Sequence, residues 1–266
     1  MPRSVKIILL LILIIAPVIF YSVLSKRDKG IKPALLLFRG KVSPDRAKIA
    51  LIFDDLGESL YELQEVYSLG IPLTVSVIPD LKFSKNIAHI SGRWGFSVLI
   101  HLPLEPLDRD KYKKLSYRFI GSNLTKKEIE TLLKQYLNSI RIAIGVNNHM
   151  GSRATKDPQL MGFILKVIKN KGLIFIDSRT SSGSIGYEIA KREKIICGYN
   201  EGFLDATDDT GGMEKRMEGF IAAAKKNGQI IIIAHPRKNT IQFLKKRLSL
   251  LTQRIEFITI KDYFGL

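Results

Sequence analysis

The sequence predicts an α/β fold, specifically a distorted (β/α) barrel of about seven to eight strands, and three observations support this. Short apolar runs alternate with amphipathic stretches throughout residues 48–266. Few of the apolar runs alternate in polarity, which is typical of strands buried on both faces of a parallel sheet. Seven or eight such repeats in one uninterrupted stretch favour a closed barrel. An open, doubly wound sheet is the alternative architecture.

The predicted strands are short and rich in Ile, Val, Leu and Phe, and they cover residues 49–53, 73–78, 97–101, 143–147, 173–177, 195–197, 230–234 and 257–260. The predicted helices between them cover residues 56–69, 84–93, 125–140, 158–170, 184–193, 213–226 and 240–252. Thr125-Lys-Lys-Glu128 is a capping-box signature for the start of the third helix. Lys171-Gly172 fits a helix end before the next strand.

Residues 1–25 are a predicted targeting segment. Positions 7–25 carry no charge, and basic residues stand on both sides of them. This run is long for a secretory signal and just long enough to span a bilayer as a helix. An uncleaved signal anchor and a cleaved signal peptide are the two leading interpretations, and a buried core helix is the third. We expect residues 26–47 to form a linker and residues 48–266 to form the domain, placed outside the cytoplasm.

Composition excludes several classes of protein. An apolar content of 45% excludes a disordered or collagen-like chain, and a mean hydropathy of +0.06 excludes a multi-span membrane protein. A single cysteine, Cys197, excludes an internal disulfide and a multi-cysteine metal site. The net charge of +17 favours an anionic environment, although it can equally serve solubility. The basic residues are not interleaved with aromatic ones, so we expect no nucleic-acid partner.

Polar residues gather where the predicted strands end. Three of the four histidines and several aspartates occupy such positions, in the segments that begin at Asp54, His101, Asn147, Asp177, Asp205 and His235. Because the carboxyl ends of parallel strands meet at one rim, we expect these side chains to converge. Imidazole and carboxylate groups packed together are costly to bury, and a divalent cation offsets that cost. The donor types suit zinc.

The adjacent carboxylates of Asp54 and Asp55 allow two interpretations. Neighbouring strand residues point to opposite sides, but twist at a strand end can bring both towards one cavity. One carboxylate would then bind metal while the other accepts a proton from water. The alternative is that Asp55 caps a helix that begins near Leu56. No competing nucleophile motif, Walker loop or dinucleotide fingerprint is present in the sequence.

The segment Ile49-Ala-Leu-Ile-Phe-Asp-Asp-Leu-Gly57 resembles the opening-strand motif of polysaccharide deacetylases. Five later segments are similar to the divergent branch of that family, in the same order along the chain: His101-Leu-Pro-Leu-Glu105, Asn147-Asn-His-Met-Gly-Ser152, Asp177-Ser-Arg-Thr180, Phe203-Leu-Asp205 and His235-Pro236. The resemblance implies a distorted (β/α) barrel and a divalent metal, usually zinc. It also implies removal of acetyl groups from an acetylated polysaccharide or a peptidoglycan-like polymer.

The resemblance also implies roles for individual residues. Asp54 corresponds to the catalytic base, Asp55 to the metal-binding aspartate, and His101 to the first histidine ligand. His235 corresponds to the late histidine that protonates the leaving group. Where the family pattern has a second histidine four residues after the first, this chain has Glu105.

We therefore expect His149 to replace the missing histidine, so that the metal set is Asp55, His101 and His149. Glu105 is the competing third ligand. The remaining candidates are expected to bind the sugar or to orient the other groups: Glu105, Asn148, Asp177, Arg179 and Asp205. We expect Asp177 and Arg179 to lie on one side of an extended segment, where they pair or face a sugar.

Two other function classes stay open at this point. One is a catalytically inactive module that binds the cell wall or another carbohydrate with the same barrel. The other is a different metal-dependent hydrolase. Metal content separates the deacetylase from the binding module, and acetate release separates it from the other hydrolase.

Overall fold

The computed structural model describes residues 46–112 and 114–266. Within them, strands and helices alternate in the order β1 (Ala47–Leu56), α1 (Leu60–Tyr67), β2 (Thr74–Val77), α2 (Ser84–Arg93), β3 (Ser97–Leu104), α3 (Lys126–Ser139), β4 (Gly145–Met150), α4 (Pro158–Asn170), β5 (Ile174–Asp177), α5 (Gly186–Arg192), β6 (Cys197–Phe203), α6 (Thr210–Asn227), β7 (Gln229–Ala234), α7 (Lys238–Arg254), β8 (Ile255–Ile258) and α8 (Ile260–Phe264). The predicted targeting segment and almost all of the linker lie outside the described residues. Among the helices described, none has the length and apolar content needed to cross a membrane.

Seven parallel strands close into a barrel. The hydrogen-bonded order runs from β2 through β3, β4, β5, β6 and β7 to β1, and β1 also pairs with β2. Ile52 of β1 lies opposite Ile233 of β7 on one side and Thr74 of β2 on the other. This closure confirms the predicted barrel and rules out the open sheet, which would leave β1 and β2 unpaired with each other.

The eighth strand lies beside the first residues of β1, which come before the part of β1 that pairs with β2. The β8 strand pairs with the first half of β1, from Ala47 to Ala50. The short helix α8 then turns under the barrel, where the Ile260 amide donates to Thr74 Oγ1 over 2.9 Å and the Lys261 amide donates to Ser97 Oγ over 3.2 Å. The chain therefore closes the amino-terminal end of the barrel with its own last residues.

The strands pack against two apolar cores, one on each face of the sheet. The larger one lies between the barrel and the helices, and the smaller one fills the barrel interior with alternate residues of the strands, among them Ala50, Ile52, Leu99, Ile174, Ile176, Ile231 and Ile233. Apolar residues on both faces explain why the strands read as continuous apolar runs.

Two local predictions are confirmed. Thr125 and Glu128 form a reciprocal capping box at the start of α3. Gly172 follows α4 with a φ of 67°, a left-handed conformation that costs glycine little. Lys171 is the helix-capping position just before it.

Several predicted boundaries are wrong, because polar residues continue the strands beyond the apolar runs. The β4 strand extends to Met150 rather than to Asn147, and β6 covers Cys197–Phe203 rather than residues 195–197. In β6, the side-chain Nδ2 of Asn200 donates to the Ser178 carbonyl over 3.1 Å, which gives this polar residue a partner at a buried position of the strand. The last strand ends at Ile258, and the apolar residues after it form α8.

Candidate active site

The polar rim continues the inward-facing positions of the barrel strands. Side chains of a strand alternate between faces, so the residues two positions beyond interior apolar ones also face the barrel axis. These residues are Asp54 after Ile52, His101 after Leu99, Ser178 after Ile176 and His235 after Ile233, together with Asn147 and His149 of β4. The predicted convergence of strand-end residues at one rim is thereby confirmed for Asp54, His101, His149 and His235.

Asp54 and Asp55 face the same cavity because of the backbone at Asp55. Its φ is 63°, in a left-handed region that few residues other than glycine adopt, and the β1–β2 register shifts between Phe53 and Leu56. His101 Nε2 consequently lies 3.5 Å from Asp54 Oδ2 and 3.1 Å from Asp55 Oδ1. The interpretation in which both carboxylates reach one cavity is confirmed. The helix-cap alternative for Asp55 is wrong, because β1 continues through Leu56 and α1 begins only at Leu60, with Ser59 before it.

Asp55, His101 and His149 form a cluster that can hold a metal ion. Asp55 Oδ1 lies 3.1 Å from His101 Nε2 and 2.9 Å from His149 Nδ1, and one donor atom of each residue lies within 4.8 Å of the other two. The three residues come from β1, β3 and β4. One carboxylate and two imidazoles are the three-ligand type of set that holds catalytic divalent ions and leaves a coordination position open. The residues present therefore fit a metal ion.

The two adjacent carboxylates differ in their pKa. Burial raises the pKa of Asp54, and the nearby His101 and His235 only partly counteract it. Burial also acts on Asp55, but the hydrogen bonds from His101 and His149 outweigh it and hold the pKa of Asp55 well below its usual range. Asp55 is thus the carboxylate that stays ionised, as a metal ligand must.

Asn147 forms hydrogen bonds with both Asp54 and His101. Its Oδ1 accepts from the Ser76 hydroxyl and lies 3.0 Å from His101 Nδ1, and its Nδ2 donates to Asp54 Oδ1 over 2.8 Å. Nδ2 also donates to Ser178 Oγ over 3.1 Å. An acceptor beside Nδ1 assigns the His101 proton to that nitrogen. In the protonated ring Nε2 donates to Asp55, and in the neutral ring with this tautomer the Nε2 lone pair would be available to a metal ion.

Tyr117 holds the other imidazole from outside the barrel. Its hydroxyl lies 2.8 Å from His149 Nε2, and the Tyr117 and His149 rings meet nearly edge to face. His149 therefore turns Nδ1 towards Asp55 and Nε2 towards the loop between β3 and α3. The two histidines present different nitrogens to the cluster, Nε2 from His101 and Nδ1 from His149.

A histidine–aspartate pair faces the cluster from the other side of the barrel. His235 Nδ1 lies 2.9 Å from Asp205 Oδ1, and His235 Nε2 lies 3.7 Å from Asp55 Oδ2. The buried Asp205 also accepts from the His235 amide and from the Thr240 hydroxyl, each over 2.9 Å. Burial acts to lower the pKa of His235, but Asp205 and the charge of Asp55 outweigh it and raise that pKa overall. His235 is therefore held in a state that favours the protonated ring.

These groups line one cavity of about 390 Å³ at the carboxyl end of the barrel. The aspartates Asp54, Asp55 and Asp205 and the histidines His101, His149 and His235 all contribute to its wall. Tyr112 and Phe203 add aromatic surface, and Arg237 adds a cation. Carboxyl-end cavities of this kind are where (β/α) barrels place their active sites.

Residues 51–264 match the family model described as divergent polysaccharide deacetylase. The chain belongs to this family. The predicted resemblance to this family is thus confirmed over residues 51–264.

Three proteins are similar to this chain in sequence or in fold. It is 30% identical over 213 residues to an uncharacterized protein of Haemophilus influenzae, covering 80% of this chain and 75% of the other. It is 28% identical over 199 residues to the uncharacterized Escherichia coli protein YibQ, covering 75% of this chain but only 61% of YibQ. An uncharacterized Agrobacterium tumefaciens protein of known crystal structure superimposes with a TM-score of 0.76 at 20% identity, covering 89% of this chain and 96% of the other, and shares the fold.

Glu105 faces away from the cluster. Its Oε2 accepts from the Ser122 amide over 3.0 Å and from the Ser122 hydroxyl over 3.2 Å, and its Oε1 lies 3.9 Å from Arg153 Nε. Gly121 packs so closely on this carboxylate that a Cβ there would collide with it. Glu105 is thus not among the residues that the structure brings to the metal cluster, and it does not line the cavity.

Asp177 and Arg179 also lie apart from the cavity. The Asp177 carboxylate accepts from the Arg179 amide, the Ser184 hydroxyl and the Tyr187 amide, so it organises the loop between β5 and α5. The expectation of an extended segment is wrong at Arg179, whose φ is 49°. The Arg179 side chain lies over the Tyr199 ring at 3.5 Å instead of pairing with Asp177.

Asn148 is buried and forms part of the cavity wall. Its Oδ1 accepts from the Ser178 amide over 2.8 Å, and its Nδ2 donates to the Met150 carbonyl over 2.9 Å. Asn148 therefore ties the end of β4 to the end of β5, and its two polar atoms are already engaged within the protein.

Sequence reasoning assigned no role to several residues of the site. Asn147 and Phe203 stand in segments that carry the family resemblance, and the inward position of Asn147, two residues before His149, was a usable signal. Tyr112, Tyr117 and Arg237 gave no comparable signal. Tyr117 lies in an irregular loop, and Phe203 and Arg237 take their place only from how their segments fold onto the cavity.

Proposed function

We propose that this protein is a metal-dependent deacetylase that acts on an acetylated polysaccharide outside the cytoplasm. The observation that carries the proposal is one cavity that combines a three-ligand cluster, a further carboxylate and a histidine–aspartate pair. Hydrolysis of an acetyl group needs a polarised carbonyl, a proton acceptor for water and a proton donor for the leaving group. Membership of the family supports acetyl groups on a polysaccharide as the target.

Asp55, His101 Nε2 and His149 Nδ1 would hold the metal ion, for which we propose zinc. When bound, such an ion supplies Lewis-acid polarisation of the acetyl carbonyl and lowers the pKa of water. Asn147 and Tyr117 hold the two imidazoles with His101 Nε2 and His149 Nδ1 facing Asp55, where they would meet the ion. The set of one carboxylate and two imidazoles is among those that zinc takes in hydrolases.

Asp54 is the proposed base. It is buried next to the cluster, and the Asn147 amide fixes the direction of its carboxylate. Its Oδ2 is the oxygen nearer His101, on the side of the cluster. In this position Asp54 accepts the proton of the attacking water, and a bound cation favours the ionised carboxylate that accepts it.

His235 is the proposed acid. The Asp205 carboxylate keeps Nδ1 protonated and favours the charged ring, while Nε2 faces the cavity. His235 Nε2 then donates its proton to the departing amine or alcohol of the sugar. The pair resembles other histidine–carboxylate arrangements in which the carboxylate orients the ring without itself changing protonation.

We also propose that the domain works outside the cytoplasm, either anchored in the membrane or secreted. The support is the uncharged run of residues 7–25 with basic residues on both sides. Fractionation of the native host tests this directly. Full-length, uncleaved protein found only in the soluble cytoplasm would contradict it.

The deciding experiment measures metal content and acetate release together. We expect the purified protein to bind about one zinc and to release acetate from acetylated chitin oligomers or peptidoglycan fragments, whereas Asp54→Asn keeps zinc and loses release. A protein that holds zinc and binds the polymers without release would be a binding module. A protein that binds no divalent ion would contradict the proposed hydrolysis altogether.

A further inference from the structure

Arg237 is the one arginine or lysine among the described residues that line the cavity. It follows β7 directly after His235-Pro236 and precedes α7, and it is exposed at the rim. Its amide donates to the His235 carbonyl over 2.7 Å, which makes the turn tight. Arg237 therefore stands beside the proposed acid.

One contact fixes the Arg237 side chain in place. Its Nη1 donates to the Asp205 carbonyl over 3.0 Å, and no described carboxylate lies within ion-pair distance of it. A guanidinium carries five N–H donors, so most of its donors are left for a ligand. Because its partner is a neutral carbonyl, its positive charge is not compensated locally.

The carboxylates of the cavity already have cationic or hydrogen-bonding partners. Asp55 faces His101 and His149, Asp205 faces His235, and Asp54 accepts from Asn147. Arg237 is thus not needed to neutralise any of them. A preorganised guanidinium with free donors at the rim of a sugar-sized cavity is suited to a planar or tetrahedral oxyanion.

We propose that Arg237 forms an anion-binding subsite, so that the preferred substrate is an acetylated sugar that carries a negatively charged carboxylate or phosphate substituent. This proposal rests on the proposed function of the cavity. The basic balance of the chain, 42 Lys and Arg against 25 Asp and Glu, agrees with it, because such a surface attracts anionic polymers.

Equilibrium binding tests the subsite without turnover. The three probes are N-acetylglucosamine, which is neutral, N-acetylmuramic acid, which adds a carboxylate, and N-acetylglucosamine 6-phosphate. Titrations use the zinc-loaded Asp54→Asn protein or, if that variant does not fold, the metal-free parent. We expect at least one anionic probe to bind about 10-fold or more tightly than the neutral one, as charge-assisted hydrogen bonds allow. The better anionic probe identifies which oxyanion is preferred.

Substitutions separate direct contact from indirect effects. Arg237→Gln should remove the preference for the anionic probe, and Arg237→Lys should keep part of it. The matched control is Arg216→Gln. Arg216 donates to the Leu204 and Thr207 carbonyls, in the loop after β6 that also holds Asp205, but it does not line the cavity. Arg216→Gln should therefore keep the preference for the anionic probe.

Three outcomes would overturn the subsite. The first is equal affinity for all probes, and the second is no binding of any probe. The third is an equal loss of affinity for neutral and anionic probes in Arg237→Gln, which would mean that Arg237 acts only through Asp205 and His235. Acetate release by the zinc-loaded parent is measured separately. If no acetate is released but the anionic probe is still preferred, the proposed deacetylase is contradicted and the subsite is supported. If acetate is released but no anionic probe is preferred, the subsite is contradicted and the deacetylase is supported.

Discussion

Two layers of the same barrel interior perform different work. In the layer nearer the amino-terminal ends of the strands, called the lower layer, inward-facing residues such as Ile52, Leu99 and Ile176 are fully buried in the apolar core of the barrel interior. Two residues further along the same strands, the inward-facing side chains are Asp54, His101 and Ser178, which bond to each other or to Asn147.

The contrast shows how one scaffold divides stability from chemistry. The lower layer gains free energy by removing apolar surface from water. The upper layer buries ionisable groups, as the raised pKa of Asp54 records, and each such group costs free energy unless it has a partner. We expect substitutions in the lower layer to reduce stability and substitutions in the upper layer to reduce metal binding or turnover.

The largest effect is expected from His149→Ala. Removing one of three ligands should abolish zinc binding or weaken it by more than about 100-fold, beyond the loss typical of residues that only orient a ligand. Metal analysis and zinc titration of protein that remains folded by circular dichroism measure this. Glu105→Gln is the control, because the Glu105 carboxylate faces Ser122 and not the cluster. The zinc affinity of this variant should match that of the parent. Unchanged affinity in His149→Ala, or loss in Glu105→Gln, would show that the ligand set is misassigned.

Ile176→Ala tests the lower layer. Deleting most of a fully buried side chain from the barrel interior should lower the free energy of unfolding by about 2–5 kcal/mol. Urea denaturation measures the change, and zinc affinity of the folded variant should stay close to that of the parent. The exposed Ile142→Ala should change stability by less than about 0.5 kcal/mol. A marked loss of zinc affinity in folded Ile176→Ala would mean that the two layers are not separate in function.

Asn147→Ala sharpens the comparison within the upper layer. It removes the acceptor at His101 Nδ1 and the donor at Asp54 Oδ1, so zinc affinity should fall about 10–100-fold, the range for partners that orient a ligand. Nitrogen-15 spectra should show a mixture of His101 tautomers in place of one. If His101 keeps a single Nδ1–H form and affinity is unchanged, Asn147 has no orienting role.

Asp205→Asn tests the proposed acid through pH. Asp205 stabilises protonated His235 and raises the pKa of His235, so the acid is available up to a higher pH in the parent. Without that charge the pKa falls, and the alkaline limb of the rate profile should move to lower pH by about one unit. Zinc affinity should change little. An alkaline limb that does not move would mean that another group supplies the proton.

Much of the fold was predictable because the signals are local. Buried parallel strands produce apolar runs, and helix starts and ends produce capping residues, as at Thr125 and Gly172. The strand ends of β4 and β6 were harder, since polar residues such as Asn200 enter the sheet only where another strand offers them a partner. The capping role of α8 depended on contacts with Thr74 and Ser97, more than 160 residues away.

The sequence alone determined which chemical groups end the strands, because strand order and alternation of side chains set the rim positions of Asp54, His101, His149 and His235. Only the tertiary structure decided how they are used. The left-handed backbone at Asp55 turns two adjacent carboxylates into one cavity, and packing against Gly121 and Ser122 turns Glu105 out of it. Backbone conformation and long-range hydrogen bonds respond to the closed barrel, and spacing along the chain does not encode them.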